Sequence, residues 1–205
     1  MKKFLNSVVK YFLEFSVVAF GVFLGLYVSE LRSEEKLTEE KQEVLSLIIQ
    51  EMETNLERIR AAADYHLSMK SVIDSLNKNI DGDRAMELYF GNSSFQHNDL
   101  PGWRGVKVTE PDFTAFESAK ISGILKEFDI ETISKISRTY NFLNTYSNWG
   151  QKAVDKMVQI NSSSRVVDML FNMGFLTSDI LEFEKAAIKI TEKTIEELKA
   201  KPVNS

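Results

Sequence analysis

The sequence predicts an all-α protein: an N-terminal transmembrane helix continuing into an antiparallel bundle of about four helices, with one loop insertion. Three observations carry this. Tyr11 to Val28 (YFLEFSVVAFGVFLGLYV) is one apolar run with a single charged residue, Glu14. A heptad-spaced apolar stripe follows it, with neither Pro nor Gly between Gly25 and Gly82. No window alternates as a half-buried strand must, and 9 Gly and 3 Pro in 205 residues are few for a loop-rich β protein.

Residues 1–10 form a short basic tail, with Lys2, Lys3 and Lys10. The span, 11–28, covers about 27 Å at 1.5 Å per residue, close to the roughly 30 Å of bilayer hydrocarbon. A cleaved signal peptide is the competing reading. Against it, the distal end reads Leu26-Tyr27-Val28-Ser29-Glu30, without the small-x-small pair that a peptidase needs. Lys and Arg around the span (Lys2, Lys3 and Lys10 before, Arg32, Lys36 and Lys41 after) are nearly balanced. The short basic tail favours a cytoplasmic N-terminus with the domain outside.

Two features stand inside the span. Gly21, Gly25 and Ser29 recur every four residues, a spacing that lets two helix backbones approach closely. Glu14 is an intramembrane acid four residues after Lys10, so an i, i+4 ion pair near the interface is expected.

Residues 29–44 (SELRSEEKLTEEKQEV) are charged on nearly every face and read as an exposed stalk. The bundle domain is expected over 45–201. Ile49, Met52, Leu56, Ile59, Ala63 and His66 step by three and four, and Met69, Ile73, Leu76 and Ile80 continue after an extra three-residue step, a heptad with a stammer. Asp81-Gly82-Asp83 ends this helix.

The insertion, 81–112, begins with a short helical candidate from Arg84 to Phe90. It holds Gly82, Gly91, Gly102, Gly105, Pro101 and Pro111, and its Phe95, Leu100 and Trp103 suggest that it folds back on the bundle. Phe113 to Leu125 is a helix closing near Gly123. Asp129 caps a long helix through Ile133, Ile136, Tyr140, Leu143 and Tyr146 toward Ile160. Ser162-Ser163-Ser164 breaks it. A short helix from Arg165 to Met173 turns at Gly174, and Thr177 or Ser178 starts a last helix ending near Lys201-Pro202, before a tail at 202–205.

Little chemistry is visible. There is no cysteine, hence no disulfide, thiol nucleophile or cysteine-ligated metal. His66 lies on the apolar stripe, where a hydrogen-bonded buried histidine is expected. No Glu-x-x-His or His-Glu-x-x-His pair, phosphate loop or GxSxG turn occurs. Asp81-Gly82-Asp83 opens like a calcium loop but lacks the later ligands. The expectation is no enzyme, no cofactor and no metal. Net charge is −5, with +2 over residues 1–29 and −7 over the rest, which argues against a nucleic-acid partner. A ligand or partner surface is expected from Phe95, His97, Trp103, Tyr146 and Trp149.

The segments EFSVVAFGVFLGLYVSE, EEKQEVLSLIIQEMETNLERI and FTAFESAKISGILKEFDIETISKISRTYNFLNTYSN resemble, in order, a Bacteroidota family of unknown function. Its members are small single-pass membrane proteins with a basic N-terminus, one transmembrane helix and a helical coiled domain. After the span the family tends to be Asn-Asn-Trp-like and basic, where this chain has Ser29-Glu30-Leu31-Arg32. The resemblance implies a fold and the bacterial inner membrane, but no activity.

Together these features lead to a non-enzymatic, membrane-anchored interaction or accessory subunit of an envelope complex. Its expected partners are the lipid bilayer and a second copy or another membrane protein. A membrane-tethered, sensor-like small-molecule-binding module is the alternative, and an energy-coupling subunit using Glu14 is a third reading.

Overall fold

The computed structural model describes residues 2–91 and 95–200, with side chains from Phe12 onward. The expected Lys10–Glu14 pairing and the tail at 202–205 lie outside this range. Among the described residues the chain is helical without a strand, and a lone antiparallel bridge joins Leu88 to Arg165.

Helix α1 runs without interruption from Lys2 to Asn79. An 18-residue window near its start is apolar enough to cross a membrane, and none of that window is buried in protein. Phe12, Phe15, Val17 and Phe20 all project freely. From Leu45 the same helix is the spine of the bundle. Its buried line reads Leu45, Ile48, Met52, Asn55, Ile59, Ala62, His66, Met69 and Ile73. Those steps alternate three and four throughout, so the expected stammer is absent. It arises when the line is drawn through Leu56 and Ala63, which are also buried, in place of Asn55 and Ala62.

Asp81 leaves α1 in an extended conformation and precedes α2 (Gly82–Ala85). The helix expected over Arg84 to Phe90 is therefore earlier and shorter. Beyond it the chain extends to pair with the segment after Ser164: the Tyr89 amide donates to the Ser164 carbonyl, and the Val166 amide to that of Glu87.

Helix α3 (Thr114–Ser122) stops at Gly123, whose φ of 82° supplies the left-handed turn. A 3-10 turn (Ile124–Glu127) then closes the end of the bundle nearest the apolar window against α1, with Lys41 over the Phe128 ring at 5.4 Å. Helix α4 (Ile130–Val158) is N-capped by Asp129, which accepts from the Thr132 amide at 3.0 Å. Asn161 builds the break, its side chain accepting from the Ser163 amide at 2.9 Å.

Two separate helices were expected from Arg165 onward, with a turn at Gly174. One continuous helix is found instead: α5 (Val166–Phe175), a π-helical turn (Leu176–Ile180) and α6 (Leu181–Ala200). Thr177 and Ser178 do not start a helix. Their hydroxyls donate backward to the carbonyls of Met173 (3.1 Å) and Gly174 (2.6 Å), supporting the widened turn. The buried stripe runs through it: Met173, Leu176, Thr177, Ile180, Leu181, Glu184 and Ala187.

The bundle thus has three long helices, with α3 and the 3-10 turn closing its base. Contacts fix their directions. Tyr140 of α4 meets Glu51 and Tyr146 reaches the level of His66, so α4 runs with α1. Glu184 meets His66, Glu192 meets Arg60 and Lys199 meets Glu53, so α6 runs against it. Thr191 is fully buried in α6, and its hydroxyl finds no partner among the described residues. A Thr191→Val substitution keeps the shape and removes that penalty. It is expected to stabilise the domain by about 1 kcal/mol, read as a higher denaturant midpoint. A lower midpoint would show that the hydroxyl is satisfied.

Candidate functional site

The five aromatic and histidine residues expected to share a surface divide between two places. Phe95, His97 and Trp103 gather with Tyr89: ring centroids lie 6.1 Å apart for Tyr89–Phe95, 5.9 Å for Tyr89–His97 and 5.6 Å for His97–Trp103. The Tyr89 hydroxyl is hydrogen-bonded to His97 Nδ1 and accepts from the His97 backbone amide at 3.4 Å. Burial holds the His97 pKa below its ordinary value. The cluster is filled by its own side chains and packs Trp103 on Tyr65 of α1 at 6.5 Å.

Tyr146 and Trp149 are elsewhere. Trp149 lies half-buried, stacked on Phe183 at 5.4 Å with Lys152 Nζ 4.3 Å from its ring. Tyr146 is fully buried and belongs to a polar centre.

That centre holds the segment from Arg104 to Asp112 as a strap running down α1. A segment outside helix and sheet has no helical or ladder partners for its backbone, so buried N–H and C=O groups need side chains. Tyr65 supplies two contacts, accepting from the Arg104 amide (3.0 Å) and donating to the Gly105 carbonyl (2.8 Å). His66 Nε2 lies 2.7 Å from the Val106 carbonyl. The Tyr146 hydroxyl accepts from the Thr109 amide at 3.3 Å. Asn55 closes the run with a two-way pair, donating to the Asp112 carbonyl and accepting from its amide, both at 2.7 Å. Below it, the Glu51 carboxylate accepts from the first amides of α3, Ala115 (2.6 Å) and Phe116 (3.3 Å), and from the Tyr140 hydroxyl (2.6 Å).

Glu184 completes the centre from α6. It is 0% exposed, with His66 Nδ1 at 2.9 and 3.0 Å from its two oxygens and the Tyr146 hydroxyl donating at 3.3 Å. Burial first, and then the Glu184 charge, push the Tyr146 pKa well above the tyrosine range, so it remains a donor. His66 is the buried, hydrogen-bonded histidine that its place on the stripe implies. Glu51, Asn55, Tyr65 and Glu184 were not singled out in the sequence. Their signal is phase: Glu184 stands three residues after Leu181 and three before Ala187, on an apolar stripe, and Asn55 on the heptad line.

Gly150 gives the strap room to cross α4. A Cβ there would overlap Val108 Cγ1. Gly150→Ala is expected to destabilise the domain by about 1–3 kcal/mol, measured as a drop in melting temperature. An unchanged value would mean the crossing is looser than described.

Elsewhere the surface is open. A depression of about 690 Å³ runs over the outer face of α6, lined by Leu67, Phe142, Leu181 and Phe183. A second, of about 500 Å³, lies at the tip of the bundle by the end of α1, between Ile80, Val167, Leu170, Phe171 and Phe175. Met86, Leu88 and Phe90 are exposed on the segment that pairs beside α5. In the first part of α1, a Cβ built on Gly21 or Gly25 meets nothing within 4 Å, and Ser29 is exposed. Glu14 is also exposed on that helix. Among the described residues no three His, Asp or Glu side chains converge as metal ligands would. No family model, no curated protein and no solved structure matches this chain.

Proposed function

We propose that the chain is a non-enzymatic, membrane-anchored interaction subunit of an envelope complex in the bacterial inner membrane. Its N-terminus is cytoplasmic and its bundle periplasmic, and it self-associates through the anchor. The observation that carries this is the unbroken α1: an 18-residue window near its start is apolar and wholly uncovered by protein, and from Leu45 onward the same helix is the spine of the bundle.

Continuity also fixes rotational phase. Stepping back by sevens from Leu45 takes the bundle-facing line through Thr38, Leu31, Leu24 and Val17. At about 100° per residue that line drifts by about 20° per heptad, so Gly21 and Gly25 stand about 120° and about 160° around the helix from Leu45. Two anchors meeting on the glycine flank therefore do not drive their bundles into each other. Small residues on one stripe allow the close backbone approach that drives association in lipid.

Replacing Gly21 and Gly25 together with Ile is expected to convert an oligomer into a monomer, in detergent and in nanodiscs alike. An unchanged particle mass would remove self-association through this face. A mild-detergent pull-down of the tagged chain then separates an accessory subunit from a homo-oligomer. A small-molecule-binding module is the second reading, favoured by the apolar depression between Ile80 and Phe171 at the tip. A bound ligand there raises the melting temperature by mass action.

A further inference from the structure

We propose that His66 and Glu184 form a proton-dependent latch, which holds the upper half of the strap against the bundle and frees it when the pair loses one proton. The Val106 carbonyl can only accept a hydrogen bond, and it lies 2.7 Å from Nε2. The Glu184 oxygens lie 2.9 and 3.0 Å from Nδ1. Both ring nitrogens thus face oxygen, so the imidazole and carboxylate share a proton between them in addition to the one on Nε2. The pair is then neutral overall, which is what burial at 1% and 0% exposure demands.

Removing that proton leaves one N–H for two acceptors. A hydrogen bond to a carboxylate is stronger than one to a neutral carbonyl. The remaining proton therefore stays on Nδ1 toward Glu184, and the Nε2 lone pair turns against the Val106 carbonyl. The strap yields because repulsion falls on its backbone. Other groups facing the pair do not relieve it. Tyr65 on α1 and Tyr146 on α4 are held by burial above the ordinary tyrosine range and keep their protons. Arg104 of the strap sits outside, its guanidinium 5.1 Å from the Tyr65 ring.

Release is confined to the upper half. Asp112 is pinned by the Asn55 amide, which does not titrate, so the strap pivots between Thr109 and Asp112. Opening uncovers Tyr65, Tyr146 and the notch at Gly150.

The test is amide exchange of the full chain in nanodiscs between about pH 6 and 9, corrected for intrinsic rates. With one proton linked to opening, protection of the Thr109 amide is expected to fall by up to about tenfold per pH unit between the open-state value of about 6.5 and the raised folded value of His66, and to level off above it. Asp112 keeps its protection. His66→Gln abolishes the pH dependence at Thr109. If that variant does not fold, the wild-type comparison decides alone. Thr109 and Asp112 losing protection together, or Thr109 remaining flat to the alkaline limit, overturns the latch.

Discussion

Glu184→Ala is expected to destabilise the domain by about 3–5 kcal/mol, because it leaves an imidazole buried without its counter-charge. The carboxylate holds two groups on different helices, His66 of α1 and Tyr146 of α4, while itself belonging to α6. Glu184→Gln retains the shape and one acceptor, so a smaller loss is expected. Exchanging His66 and Glu184 together for Leu and Met should cost much less than Glu184→Ala alone, since buried pairs are often replaced by apolar side chains at little net cost. The pH dependence has a definite sign. Burial alone lowers the His66 pKa, but its hydrogen bond to Glu184 and the Glu184 charge more than offset this and hold it above the ordinary value. Stability from a raised group is fully present below the unfolded value of about 6.5 and is lost as pH rises through the folded value. Wild-type stability should therefore decline on the alkaline side, and Glu184→Ala should lack that decline. Urea unfolding at two pH values reads both effects. A loss below about 1 kcal/mol for Glu184→Ala would mean that water reaches the pair.

Much of the fold was legible where a single residue type decides local geometry. Asp129 as an N-cap, Gly123 as a left-handed stop and the Asn161–Ser164 break each act through their own side chain or φ. The continuity of α5 into α6 was not legible from such signals, because Gly174, Thr177 and Ser178 carry the marks of a stop and a start. Only the unbroken stripe from Met173 to Ala187 shows that the helix passes through, with the hydroxyls bonding backward into a π turn. The candidate site was harder still. Asn55, Glu51 and Glu184 were not singled out in the sequence. What buries them is tertiary: Asn55 meets the strap, Glu51 meets α3 and Tyr140, and Glu184 meets His66 and Tyr146, while the strap's own path along α1 depends on contacts separated by 39 to 57 residues. A polar residue on an apolar line was the sole local hint. The aromatics of the loop were visible as a folding-back element, but their division between the Tyr89 cluster and the Trp149 stack is a tertiary result.

The second large effect is expected at Glu51, where one carboxylate from α1 serves both a helix end and a buried phenol. The first amides of a helix lack intrahelical acceptors, and negative charge there is favoured by the peptide dipoles. Glu51 supplies this for α3 from a different helix, binding the Ala115 and Phe116 amides, and takes the Tyr140 hydroxyl as a third donor. Burial, and then Glu51 itself, push the Tyr140 pKa far above the tyrosine range, so the phenol remains a donor at any working pH. Hydrogen bonds to a charged acceptor are worth about 1.5–3 kcal/mol each, and the three share one acceptor. Glu51→Ala is accordingly expected to destabilise the domain by about 3–4 kcal/mol, less than three such bonds would sum to. Tyr140→Phe alone should cost only about 1–1.5 kcal/mol, because the carboxylate keeps its two amides. Adding Tyr140→Phe to Glu51→Ala should cost less than Tyr140→Phe does in the wild type, since the hydroxyl has then lost its acceptor. Strict additivity in chemical unfolding would show that Glu51 and Tyr140 do not interact, and that α3 is held by Phe116 stacking on Tyr140 at 4.3 Å rather than by the acid.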